Sequence, residues 1–117
     1  MGDLLRSIFK KSVSGSALTL LDVTDVSTEK LTVISLSLCN TNATTDRTFD
    51  VYIKDPNNNQ AAGANTLFYL YQDASLPSKA TFIHNDKLVL RQDEELTIVV
   101  NSGTDTHIHC SYLEQTA

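Results

Sequence analysis

The chain has 117 residues, which suits a single domain with its own hydrophobic core. Hydrophobic residues make up 41% of it, but no apolar run approaches the roughly 20 residues that a membrane helix needs. The net charge is −5 and nine Lys and Arg residues are available to neutralise phosphates, so we expect no nucleic-acid partner. The N-terminus has no secretory-signal pattern, and we expect a protein made in a cytosol.

Residues 1–16 are expected to form an N-terminal arm and joint, followed by one domain over 17–117. Four apolar residues of the arm recur at helical spacing, which predicts a short amphipathic helix. So short a helix is unstable alone in water, so the arm, helical or extended, must dock on its own domain, a sister subunit or a larger partner. The candidate anchors to a partner are Leu4, Leu5, Ile8 and Phe9. Residues 12–16, SVSGS, predict a flexible joint.

The clearest pattern runs from Leu31 to Lys54 and predicts two strands joined by a polar turn, as in a β-hairpin. Apolar and polar side chains alternate along both strands, which is typical of half-buried antiparallel strands. The residues expected in the core are Ile34, Leu36 and Leu38 from the first strand and Phe49, Val51 and Ile53 from the second.

Further short strands and turns follow this pair. Strands are predicted over 17–23, 66–72, 81–84, 87–90, 95–101 and 106–113, with a long polar loop over 55–65. About seven or eight short strands with turns at this spacing predict an all-β fold, a single antiparallel β-sandwich. The pattern fits an immunoglobulin-like or a jelly-roll sandwich equally well.

His107 and His109 are weak candidates for a metal site. Residues two apart on a strand point to the same side, so both imidazoles could reach one ion. A zinc site usually needs three or four protein ligands, so we expect a polar face here, without metal or cofactor. Cys39 and Cys110 are expected to be free thiols in a cytosol, although a disulfide between neighbouring strands stays open.

No pattern of residues indicates catalysis. The sequence has no GxSxG elbow and no glycine-rich phosphate loop, and Cys110 and His109 would point to opposite sides of a strand. We therefore expect no enzyme. The aromatic residues Phe68, Tyr69 and Tyr71 leave a carbohydrate-binding module as an alternative, with Tyr69 and Tyr71 expected on one face.

Five segments between residues 14 and 114 form a recognisable order. They are SGSALTLLDV, a long strand ending in CN before a Thr/Asn turn, FDVYIKD, SLPSKATF and KLVLRQDEELTIVVNSGTDTHIHCSYLE. This order resembles small tailed-bacteriophage virion proteins with a compact β-sandwich. The resemblance implies a structural, non-enzymatic role: a capsid decoration (cement) protein, or a neck, tail or fibre-adaptor component.

The same resemblance implies the partners and the location. The partners would be the major capsid protein or other virion proteins, and the protein would reside in the virion after synthesis in the host cytoplasm. We expect a homo-oligomer, and a trimer suits the local three-fold positions of a capsid.

Overall fold

The computed structural model describes residues 2–23, 28–55 and 66–116, and the chain is all-β over these ranges. Nine strands in the described residues form two antiparallel sheets that pack as a sandwich. The strands are β1 (Gly2–Lys11), β2 (Ala17–Asp22), β3 (Thr28–Asn40), β4 (Arg47–Asp55), β5 (Thr66–Leu76), β6 (Thr81–His84), β7 (Leu88–Arg91), β8 (Glu95–Val100) and β9 (Thr106–Thr116). The long polar loop predicted over 55–65 lies outside the described residues from 56 onward. No helix of the described residues is long and apolar enough to span a membrane.

The strands pair like a long hairpin folded over on itself. β1 pairs with β9, β2 with β8, β4 with β5, and β3 with both β6 and β7, always antiparallel. The folded hairpin closes into two sheets because β9 also pairs with β3 and β8 also pairs with β4. Sheet A therefore contains β1, β9, β3, β6 and β7, and sheet B contains β2, β8, β4 and β5. This connectivity is a jelly roll, one of the two sandwich types expected from the sequence.

The hairpin predicted over Leu31–Lys54 is wrong, because its two strands belong to different sheets. Residues 41–46 carry the chain from sheet A to sheet B. The amide of Asn40 supports this corner by donating to the carbonyl oxygens of Thr45 (2.9 Å) and Leu76 (3.1 Å). Asn40 is fully buried, so these bonds compensate for the loss of its water. Alternation identifies a strand, but it does not say which strand lies beside it.

The core lies between the two sheets and takes the inward-facing side chains of both. Its largest fully buried members are Phe49, Leu36, Leu38, Leu76, Leu90, Leu96, Ile98, Ile108, Val23, Val33, Val51 and Val100. Ile53 packs against this cluster from its margin. Five of the six core residues expected from the two central strands are thus confirmed.

Ile34 is the exception, since it is exposed rather than buried. The register of β3 with β9 shifts between Val33 and Ser35, which inserts one extra residue and reverses the alternation. Val33 before the shift and Leu36 after it therefore both reach the core. A strict period of two cannot anticipate such a bulge.

The N-terminal segment is a strand, so of the two forms expected for the arm the extended one is confirmed and the short helix is wrong. β1 pairs with β9 along its whole length, from Gly2 opposite Thr116 to Lys11 opposite His107. Apolar residues at positions 4, 5, 8 and 9 fit a strand as well, because they place two side chains on each face. Ile8 packs against the core from one face, and Phe9 lies exposed on the other.

The segment expected to be a flexible joint, 12–16, is hydrogen-bonded to the body of the sandwich. The Ser12 hydroxyl donates to the Gly103 carbonyl (2.9 Å) and accepts from the Thr106 amide (3.2 Å). Gly15, at φ 66°, donates its amide to the Val100 carbonyl (2.9 Å). A glycine adopts this left-handed conformation without strain, which lets the chain turn from sheet A to sheet B here.

Candidate functional site

The outer face of sheet A, which points away from the core, exposes apolar side chains from four strands. They are Leu5 (74% exposed), Phe9 (73%), Ile83 (55%), Val89 (49%) and Ile34 (37%). Leu5 and Ile34 line one shallow groove of about 450 Å³ together with Ser7 and Ser111. Isolated apolar residues are normal on protein surfaces, but several on one sheet face are typical of an interaction surface.

A larger groove of about 510 Å³ opens on the same face, where β1 and β9 lie side by side. The ring of Phe9 stacks on the imidazole of His109, with centroids 4.5 Å apart and planes at 24°. The register sets this contact, because Phe9 pairs with His109 and Lys11 pairs with His107. The groove is lined by Phe9, Lys10, Lys11, Ser37, Cys39, His107, Ile108 and His109.

Both candidate metal ligands, His107 and His109, lie at this groove. His84 does not join them, since its Nδ1 is 2.8 Å from the hydroxyl of Tyr71 on the opposite sheet. Within the described ranges, no three His, Cys, Asp or Glu side chains come together in a way that could hold a metal ion. The neighbour that the described residues give His109 in this groove is the ring of Phe9.

The two cysteines are free and lie on opposite sides of sheet A. Cys110 is buried in the core, and this burial raises the pKa of its thiol to about 11. Cys39 is partly exposed beside the His107 end of the groove. Because His109 lies on the outer face, Cys110 has no histidine partner on its own strand that could activate it.

A polar cluster joins the loop between β3 and β4 to the loop before β9. Arg47 pairs with Asp105 at 3.1 Å, and the Asn42 amide donates to the same carboxylate at 3.0 Å. The hydrogen bond from Asn42 first, and that from Arg47 after it, lower the pKa of Asp105. Gly103 borders the cluster, and a Cβ on it would lie 2.5 Å from the Arg47 guanidinium. Asp105 thus fixes the two loops to each other.

The expectation that Tyr69 and Tyr71 share a face is wrong. The register of β5 with β4 shifts between the partners of Val51 and Tyr52, so the two tyrosines point to opposite sides. Tyr69 lies against Tyr52 on the outer face of sheet B (ring centroids 5.2 Å apart), whereas Tyr71 packs on Phe82 at 4.7 Å. Tyr69 and Tyr71 therefore do not form a shared aromatic surface on which a carbohydrate could stack.

Comparison with known proteins gives a fold but no family. No family model and no curated protein matches the sequence. Among solved structures, the chain is similar to one in the acid-stable capsid of Helicobacter pylori bacteriophage KHP30, with 12% identity and a TM-score of 0.53 over 98% of this chain and 89% of that one. It is also similar to a chain of Bacillus endospore appendages, a family of disulfide-linked pili, with 13% identity and a TM-score of 0.50 over 98% of this chain and 87% of that one. At such identities the likeness shows the shared β-sandwich fold.

Proposed function

We propose that the protein is a structural virion protein of a tailed bacteriophage, specifically a capsid decoration protein that binds the outer shell and stabilises it. The observation that carries this proposal is the exposed apolar outer face of sheet A. A rigid sheet that keeps apolar side chains in water gains free energy when a complementary protein surface covers them.

The arrangement of this face suits docking onto a protein shell. Ile83 and Val89 project from β6 and β7 at one side of the sheet, while polar Ser37 and Cys39 lie between them and the histidines. With Leu5 and Phe9 on β1 at the other side, the exposed apolar side chains lie along both margins of the face, and a complementary shell surface would contact both margins. The fold supports the proposal too, since the similar bacteriophage chain belongs to a capsid and is covered over 89% of its length.

The location of the protein can be tested on purified virions by quantitative mass spectrometry and cryo-electron microscopy. A decoration protein is expected in many copies over the outside of the head, and heads that lack it should rupture at lower temperature. About six or twelve copies at a single vertex would instead indicate a neck, tail or fibre-adaptor component. Absence from particles, together with binding on a glycan array, would favour a carbohydrate-binding module.

The docking face can be tested with matched substitutions. Ile83→Asp and Val89→Asp each place a charge in the proposed contact, and we expect them to abolish binding to heads that lack the protein. Leu67→Asp, an equally polar change on β5 of the other sheet, is the control and should bind normally. Equal binding by all three variants would refute docking through the outer face of sheet A.

A further inference from the structure

β1 forms a long edge of sheet A that no bulge or proline interrupts. Among the described residues, no strand lies on the side of β1 away from β9. Its ten residues pair with β9 in unbroken register and include no proline. Native edge strands are normally short, bulged, interrupted by proline or charged, because a long regular edge is a template for another chain; of these features β1 has only its charges, Asp3, Arg6, Lys10 and Lys11.

The other edges of the sandwich are bulged or short. β2 has a register shift between Thr19 and Leu21, and β5 has two shifts against β4. β6 and β7 contain four residues each. In the part of the chain that the structure describes, β1 is therefore the edge best suited to bind a further strand.

The sequence of β1 is complementary to itself when two copies run antiparallel about a two-fold axis through Ser7. The β1 side chains on the outer face are Asp3, Leu5, Ser7, Phe9 and Lys11. In this register Asp3 of one copy lies opposite Lys11 of the other, and Leu5 lies opposite Phe9. Both pairs occur twice, and Ser7 lies opposite itself, as an isologous contact requires.

Neighbouring registers are less favourable. In a symmetric antiparallel pair of strands, each residue must lie opposite one whose side chain points to the same face of the sheet. The two-fold axis therefore passes through a residue that lies opposite its own copy. An axis through Arg6 would place two copies of Arg6 opposite each other, and an axis through Ile8 would place Arg6 opposite Lys10. Like charges directly opposite are destabilising, so the Ser7 register is preferred.

The inward-facing side chains of β1 are compatible with the Ser7 register. It would place Arg6 beside Ile8 and Leu4 beside Lys10 of the second copy. Both basic side chains already have partners in their own chain: Arg6 pairs with Glu114 at 3.1 Å, and Lys10 donates to the Thr19 carbonyl at 3.4 Å.

We infer that two copies of this chain associate through antiparallel pairing of β1 with β1, which joins their A sheets into one continuous sheet. The pairing places Leu5 of each copy beside Phe9 of the other, and these are the two most exposed of the large apolar side chains described. The stack on His109 holds the Phe9 ring in place before association, which reduces the entropy cost of binding. This pairing is independent of the proposed function, because it is a property of the isolated protein and does not require binding to a virion.

Charge reversal tests the pairing by sedimentation over a concentration series. Wild-type protein should form a dimer, and Asp3→Lys or Lys11→Asp should weaken it about tenfold or more, because each sets two like-charged pairs opposite each other. The double variant restores opposite charges and should recover most of the affinity. Asp86→Lys, an exposed change between β6 and β7, is the control for net charge.

Crosslinking tests the register. In a Cys39→Ser background, Ser7→Cys should give a covalent dimer on mild oxidation, because the axis brings the two thiols together. Ser111→Cys is the matched control: Ser111 is the partner of Ser7 on β9, and its two copies would lie about 14 Å apart, three strand spacings. Circular dichroism should show that every variant is folded.

Three outcomes would overturn the inference. The first is a folded wild-type protein that stays monomeric, or sediments as a trimer, throughout the concentration series. The second is a double variant that dimerises no better than either single charge reversal. The third is a Ser7→Cys variant that forms no more covalent dimer than Ser111→Cys.

Discussion

The two long edge strands of the sandwich, β1 and β5, differ in how they are used. β1 pairs with β9 without a register shift and leaves the side chains of Leu5 and Phe9 exposed to solvent. β5 is bulged, with Asp73 at φ 51°, and it turns Tyr71 inward onto the core. An aromatic side chain near a sheet edge thus packs against the core at Tyr71 of β5, whereas Phe9 of β1 is 73% exposed. Substitutions on the two edges should therefore affect different measurements.

The largest effect is expected from Phe49→Ala, which removes the ring beneath the β5 edge. Phe49 is fully buried and packs against Tyr71 and Phe82, so its truncation leaves a cavity. We expect the free energy of unfolding to fall by about 3–5 kcal/mol, measured by urea denaturation. Phe9→Ala removes the same side chain from the β1 edge and should change the stability of the monomer by less than about 1 kcal/mol. Similar losses for both variants would contradict the distinction between the edges.

The next largest effect on stability is expected at the polar cluster before β9, the strand that pairs with β1. Asp105→Asn removes the charge that pairs with Arg47, whose side chain is 10% exposed. The pKa of Asp105 is lowered in the folded protein, so its stabilising contribution is present above the ordinary Asp value of about 3.9 and is lost as the pH falls through the lower, folded value. Urea midpoints from pH 7 to pH 2 should show the gap between wild type and variant narrowing below about pH 4. A constant gap would contradict the assignment.

A smaller effect is expected from Tyr71→Phe on β5. The variant keeps the ring that packs on Phe82 but loses the hydrogen bond to His84 (2.8 Å), which connects β5 of sheet B with β6 of sheet A. The loss should be about 1 kcal/mol in the free energy of unfolding at neutral pH. His84→Ala in the Tyr71→Phe background should cost less than it does in the wild type, and strictly additive losses would show that the bond contributes nothing.

The smallest effect is expected from Arg6→Ala on β1. The ion pair of Arg6 with Glu114 is solvent-exposed on the arginine side, and such pairs contribute less than about 1 kcal/mol. Raising the salt concentration should reduce the difference from wild type further. A loss as large as that of Phe49→Ala would mean that β1 is integral to the stability of the single chain.

The candidate surface could be anticipated in part from the sequence. The apolar pattern of the N-terminal segment predicts Leu4, Leu5, Ile8 and Phe9 as anchors; the structure leaves three of them exposed, while Ile8 packs on the core. The exposure of Ile83 and Val89 could not be predicted. In a strand of four residues, the sequence does not show which of the two faces is turned toward the core. The stack of Phe9 on His109 could not be predicted either, since the two residues lie at opposite ends of the chain.

The alternation of side chains along the sequence predicts that the chain is all-β and where most strands lie, because alternation is a local property of an extended backbone. The strand partners and the bulges depend on contacts between distant parts of the chain. Tertiary structure made the N-terminal segment a strand through pairing with β9, and Arg6 meets Glu114 across 108 positions of sequence. It also placed β3 and β4 in different sheets and inserted the bulges that expose Ile34 and separate Tyr69 from Tyr71. The physical reason is that a strand's backbone hydrogen bonds are satisfied by a distant partner, and a sequence pattern within the strand does not identify that partner.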